Sequence, residues 1–280
     1  MAEMSVRYKA YSFQRSVEFR VILPVEDTKT YRPHPEDKPE RFKTLYLLHG
    51  YSGDCNDWIY GSRIFKIARD HNLAVVMPSA ENSFYEDNEE TGARYGSFVG
   101  EELVEVTRRM FPLSDRREDT FIGGLSMGGF GSLLLGSRFC DTFSAAVCLS
   151  SGFILEDLAA GRAMHLEKAG ELSRMGGLFG DLSHIMDPSD KNPMYHVDRA
   201  LAQGRMPRLY LACGTEDFVY PSNVRTRDEL LAKGAEVTWE EGPGEHEWTF
   251  WDKYIERAVD WLLTGSPEGN TAGGKESHAR

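Results

Sequence analysis

Short, nearly unbroken apolar runs that alternate with helix-periodic segments constrain this chain more than any other feature. The runs at 45–48, 73–77, 120–122, 145–149 and 209–212 lack the polar alternate expected of a strand with one wet face. They read as strands buried on both sides. Between them Val99, Leu103, Val106 and Met110 recur at helical spacing until Pro112 ends the segment. Trp248, Trp251, Ile255, Ala258 and Leu262 do the same near the C-terminus, and helices are also predicted over 58–71, 127–137 and 223–233. Strand and helix in alternation require crossover connections. The expectation is therefore one α/β domain over 1–264, with a mostly parallel central sheet covered by helices on both faces. Strands at 6–13 and 17–23 precede it; Val17, Phe19, Val21 and Leu23 fall on one face at period two. Residues 28–42, rich in Pro, Lys and Asp, read as a loop.

Two segments fall outside the alternation. Residues 153–203 separate two buried strands and are longer than a usual connection. They carry Met164, Leu166, Met175, Leu178, Phe179, Ile185, Met186, Met194 and Tyr195, too much apolar surface for a solvated linker. A lid-like insertion packed over the sheet edge is expected. The stretch 265–280 is Gly-rich and polar and is expected to be a flexible tail.

The run at 120–122 leads directly into Gly123-Gly124-Leu125-Ser126-Met127-Gly128-Gly129. The pattern G-x-S-x-G alone is a weak signal. A buried strand running into it and an apolar helix running out of it make the context of a nucleophile elbow. The glycines let strand and helix pack closely around a sharp turn, which leaves Ser126 exposed at the carboxyl end of the sheet. A serine hydroxyl attacks only when a base takes its proton and a third group orients that base.

Chain order on such a scaffold is nucleophile, acid, then histidine. His34, His49 and His71 precede Ser126, His165, His184 and His196 fall in the insertion, and His278 lies in the tail. His246 remains, in a Gly/Pro-rich loop between a strand near 237–239 and the final helix. The acid should follow the strand at 209–212, where Gly214-Thr215-Glu216-Asp217 stands. Asp217 is the expected partner and Glu216 the alternative. Acyl transfer also needs two N–H donors for an oxyanion. Met127, directly after the nucleophile, is one. Tyr51, in His49-Gly50-Tyr51-Ser52-Gly53 after the strand at 45–48, is the other. Gly50 allows close backbone approach to a substrate, and Trp58 is expected either near the entrance, in contact with substrate, or packed in the core. His49 suits a buried, hydrogen-bonded support role.

Composition narrows the classes. Lys and Arg number 32 against 44 Asp and Glu, for a net charge of −12. Such a surface repels phosphate backbones, so no nucleic-acid partner is expected. No apolar run approaches the length of a membrane span, and residues 1–15 hold no apolar core of signal-peptide length, so no secretion signal is expected. No membrane association is expected, and a cytoplasmic setting is. Four scattered cysteines make neither a disulfide framework nor a metal knuckle, so no metal and no cofactor are expected. Nothing in the pattern bears on self-association, and a homo-oligomer stays open.

Together, the motifs at 47–53, 124–129 and 214–217 and the His246 loop resemble the esterase D branch of the α/β-hydrolases. Within it the chain is most similar to bacterial tributyrin and feruloyl esterases, from about Ser5 to Leu263. The resemblance implies an α/β-hydrolase fold and hydrolysis of a small-molecule carboxylic ester, with short-chain acyl, aryl, acetyl or hydroxycinnamoyl esters as candidates. Carried to matching positions, it implies the triad Ser126, Asp217 and His246, with Tyr51 and Met127 at the oxyanion hole. S-Formylglutathione hydrolases of the same branch typically carry Gly-Leu-Thr-Cys in that loop. Here Gly50-Tyr51-Ser52-Gly53 occupies those positions and Cys55 is displaced, so the thioester is the alternative substrate. A non-catalytic binding scaffold on the same fold is a third reading, which a missing triad member would favour; all three are present.

Overall fold

The computed structural model describes residues 1–25, 41–161 and 171–265. Most of the expected loop at 28–42, Met164 and Leu166 of the insertion, and the tail after Gly265 lie outside the described residues. The strands in chain order are β1 (Ala2–Ala10), β2 (Arg15–Leu23), β3 (Thr44–Leu48), β4 (Ala74–Pro78), the short ribbon β5 (Asp87–Asn88) and β6 (Ala93–Arg94), β7 (Thr120–Leu125), β8 (Ala145–Leu149), β9 (Arg208–Gly214) and β10 (Val237–Gly242). The helices are α1 (Asp57–Gly61), α2 (Ile64–Asp70), α3 (Tyr95–Ser97), α4 (Leu103–Met110), α5 (Met127–Arg138), α6 (Leu155–Ala159), α7 (Glu171–Phe179), α8 (Pro193–Ala202), α9 (Tyr220–Ala232) and α10 (Trp248–Thr264).

One sheet of eight strands runs β1-β2-β4-β3-β7-β8-β9-β10. β1 and β2 form an antiparallel hairpin, β2 joins β4 antiparallel, and every later pairing is parallel. The mostly parallel sheet expected from the alternation is thus present. Period two divides its side chains between two cores. Tyr46, Leu48, Val76 and Ile122 pack with Met127, Phe130 and Leu133 of α5. Leu45, Leu47, Val75 and Phe121 pack with α2 and with Trp251, Ile255 and Leu262 of α10. Among the described residues no helix is long and apolar enough to cross a membrane.

Three expectations need correction. The first strand begins at Ala2, because its pairing with β2 runs in register from Ala2 opposite Leu23 to Ala10 opposite Arg15. The single helix expected over 58–71 is two. Ser62 Oγ bonds the Trp58 carbonyl at 2.6 Å, and Arg63 turns its N–H and guanidinium onto Asp252 at 2.6 and 2.7 Å. These side-chain bonds compete with the helix ladder at the junction. Finally, the region 153–203 is not wholly extra. α8 lies between β8 and β9 in the chain and buries Val197 and Ala200, with Val197 in the core shared with α5, so it serves as their crossover helix. Ahead of it, Met175, Phe179 and Ile185 are buried in the same core.

Candidate active site

β3, β7, β9 and β10 run parallel, so their carboxyl ends gather loops on one edge of the sheet. β3 pairs with β4 on one side and with β7 on the other. The strand order therefore reverses at β3, and such a switch point opens a crevice outside the strand ends. β3 delivers His49-Gly50-Tyr51 into it, β7 delivers Ser126, β9 delivers Asp217, and the loop after β10 delivers His246.

Ser126 sits at φ 52° and ψ −117°, a conformation that costs a non-glycine residue about 1–3 kcal/mol. Its surroundings hold it there. The Ser126 N–H donates to the Leu149 carbonyl at 2.9 Å, and its own carbonyl accepts from Gly129, Phe130 and Gly152 N–H at 3.0, 3.1 and 2.8 Å. The close approach needs glycine at both ends of the motif. A Cβ on Gly124 would lie 2.6 Å from the Gly128 carbonyl oxygen, and one on Gly128 would lie 2.7 Å from that of His49.

The imidazole of His246 bridges the serine and the acid. Its Nε2 is 2.9 Å from Ser126 Oγ, and its Nδ1 is 2.9 and 3.0 Å from the two oxygens of Asp217. The carboxylate accepts, so Nδ1 carries the proton and Nε2 is left to accept from the hydroxyl. Asp217 has no exposed side-chain surface, and its Oδ1 also accepts from the Val219 N–H at 3.0 Å. The rings of Phe218 and Trp251, at 4.7 and 5.0 Å, confine the imidazole from two directions. Glu216, the alternative acid, faces elsewhere. Its Oε2 accepts from the Gly244 N–H at 2.6 Å, which fastens the loop carrying His246 to the end of β9. That bond holds the Glu216 carboxyl below the usual range.

Gly50 stands beside the elbow, where a Cβ would fall 3.6 Å from Ser126 Cβ. Met127 is the first residue of α5, where an N–H has no intrahelical acceptor. The Gly50 carbonyl faces His49 Nδ1 at 2.7 Å, while His49 Nε2 accepts from the Ala80 N–H at 2.9 Å. The proton therefore sits on Nδ1. Because a trans peptide points C=O and N–H in opposite directions, this bond also aims the N–H of Tyr51. Burial lowers the His49 pKa, which favours the neutral ring. Of the two places open to Trp58, the structure takes the core, which corrects its reading as a substrate contact. Trp58 is 1% exposed, donates its indole N–H to the Leu48 carbonyl at 2.9 Å and packs edge-on against Trp248. It braces β3 from within the core and does not stand at an entrance.

Sequence reasoning missed two groups of supporting residues. Ala80, Phe84 and Tyr85, after β4, pack around the His49 loop, and Asn223 holds Ser151 through bonds of 3.0 and 2.8 Å. Neither group has a periodicity or a motif; Ala80 and Ser151 stand just beyond the carboxyl end of a buried strand, while Asn223 lies inside α9.

The profile of a family described as putative esterase matches residues 11–262. An acetyl esterase of Caldicellulosiruptor saccharolyticus is 38% identical over 263 residues, covering 94% of this chain and 98% of that protein. Among solved structures, the substrate-bound fluorophosphonate-binding serine hydrolase F of Staphylococcus aureus superposes with a TM-score of 0.81 at 32% identity, covering 94% of this chain and 98% of that one. The S-formylglutathione hydrolase apoenzyme of the same organism gives 0.79 at 32% identity, with the same coverage of both chains.

Proposed function

The chain belongs to the putative esterase family, and from that premise we propose that Ser126, His246 and Asp217 are the catalytic triad of a short-chain carboxylesterase. Serine esterase chemistry and the α/β-hydrolase fold come with the family and its relatives. The assignment of roles rests on one observation above all. A continuous line of hydrogen bonds, 2.9 Å at each step, runs from Asp217 through His246 to a serine held in a strained turn.

In the proposed reaction His246 Nε2 takes the hydroxyl proton as Ser126 Oγ attacks the ester carbonyl. Asp217 keeps the imidazole in the tautomer that can accept, and stabilises the imidazolium without taking its proton. The N–H groups of Tyr51 and Met127 receive the oxyanion. His246 then protonates the departing alcohol, leaving an acyl-Ser126 ester. Water attacks that ester with the same histidine as base, and the acid and free serine are restored. An acetyl or other short acyl group is the favoured substrate portion, supported by the acetyl esterase relative. The glutathione thioester is the second reading, supported by the S-formylglutathione hydrolase neighbour. A cytoplasmic setting belongs to the proposal too, in keeping with four free, buried cysteines.

The test is Ser126→Ala. It should fold normally, lose about 10⁴–10⁶-fold in kcat on p-nitrophenyl acetate and fail to take a fluorophosphonate that labels the parent enzyme one-to-one. Labelling that persists in the variant would overturn the assignment.

A further inference from the structure

Phe84 and Tyr85 are consecutive bulky residues with left-handed backbone, at φ 50° and 60°. Neither side chain gains from that conformation by itself, so its surroundings must impose it. The two rings reach different neighbours. Tyr85 is completely buried, and its hydroxyl donates to the His49 carbonyl at 3.0 Å, just ahead of the peptide that carries the Tyr51 N–H. The same side chain packs against α5 at Gly131, where any Cβ would collide with it. Tyr85 therefore touches both elements that carry the proposed oxyanion donors, the loop holding Tyr51 and the helix that starts at Met127. Phe84 packs beside the same loop and helix and reaches α7 as well. Its ring packs 6.1 Å from that of Tyr51, 5.5 Å from Phe130 on α5 and 5.5 Å from Phe179 at the end of α7. Asn88, four residues on, donates to the Gly177 carbonyl of α7 at 2.7 Å.

The geometry points to Tyr85 as a positioning residue, a strut that sets the spacing between the Tyr51 and Met127 N–H groups, with Phe84 tying that spacing to the docking of α7. This inference rests on the triad and oxyanion roles proposed above. Substrate binding in the ground state asks little of the two N–H groups. The tetrahedral transition state needs both at hydrogen-bond distance from one oxygen, so an error in their spacing appears in kcat and not in KM.

The experiment compares Tyr85→Phe, Phe179→Leu and Ser126→Ala with the parent enzyme on p-nitrophenyl acetate. It adds the inhibition constant of a trifluoromethyl ketone, whose adduct with serine carries the oxyanion. Tyr85→Phe keeps the ring and loses only the bond to His49. It should lower kcat about tenfold with KM unchanged within about twofold, and weaken the ketone by the same factor as kcat/KM. Phe179→Leu, which alters the docked helix without touching the site, should show the same signature at smaller amplitude. An unchanged kcat and ketone affinity in Tyr85→Phe overturns the inference. So does a loss that follows the folded fraction while ketone affinity per folded site stays at the parent value. If Ser126→Ala still hydrolyses the ester and binds the ketone, the functional reading itself falls. A silent Tyr85→Phe beside a dead Ser126→Ala removes only the strut.

Discussion

Glu216 and Asp217 are adjacent and carry the same functional group, yet only Asp217 reaches the imidazole. Leaving β9, consecutive side chains point in different directions, and Asp217 turns into the fully enclosed position beneath His246. Glu216 is exposed and acts on backbone, taking the Gly244 N–H. The two should therefore respond differently to loss of charge. Asp217→Asn should keep the fold, offer the ring a donor where it needs an acceptor, and cost on the order of 10³–10⁴-fold in kcat. Glu216→Gln keeps an oxygen for Gly244 and should stay within about tenfold of the parent, since only a neutral acceptor replaces a charged one. Steady-state kinetics on p-nitrophenyl acetate distinguishes them, and a crippled Glu216→Gln beside a nearly normal Asp217→Asn would reverse the assignment. Sequence could bring the acid to within two positions, because the strand end and the turn at Gly214-Thr215 are visible in it. The direction in which each carboxylate points depends on the path of the loop after β10, which no local pattern encodes.

At the scale of elements, the short ribbon and the insertion meet over a buried acid. Glu86, immediately before β5, is 2% exposed, and its Oε1 has no hydrogen-bond partner among the described residues. Burial drives its pKa well above the ordinary carboxylate value; Lys191 and Arg138 oppose the shift, and Asp87 and Asp190 add to it. The folded chain thus keeps a proton that the unfolded chain releases near pH 4.5. The stability linked to this proton is complete below that pH and declines as pH rises from there through the higher folded value. Glu86→Gln mimics the protonated form at every pH. Its Tm should fall less than that of the parent between pH 5 and pH 8, and parallel curves would show that Glu86 does not carry the slope. Such a residue could not be found from sequence, where it stands in a mixed stretch without periodicity, Ser83-Phe84-Tyr85-Glu86-Asp87-Asn88. The strands were legible because a double-faced burial requirement leaves an unbroken apolar run, as at Leu45-Tyr46-Leu47-Leu48. Loops after the strands were not, since their shape is set by single bonds such as Tyr85 to His49.

For the whole molecule, the net charge of −12 matters most where it is concentrated. The three loops that surround the relay, at 49–57, 214–219 and 243–248, contain Asp54, Asp57, Glu216, Asp217, Glu245 and Glu247 and no Lys or Arg. Asp54, Glu216, Glu245 and Glu247 are exposed. A crevice lined by charge of one sign focuses the field on whatever approaches it, so an anionic substrate is repelled and a neutral one is not. This separates the two substrate readings. A neutral acetyl or butyryl ester should react at a rate independent of salt. S-Formylglutathione, with two carboxylates and one ammonium, is an anion, and its kcat/KM should be low in dilute buffer. It should climb as ionic strength rises to about 0.15 M, where the screening length has shortened to about 8 Å. Catalytic efficiency measured for both substrates at a series of NaCl concentrations is the check. If the thioester is the better substrate at low salt and loses efficiency as salt is added, a basic recognition site outweighs the acidic loops. The thioester would then replace the simple ester as the favoured substrate.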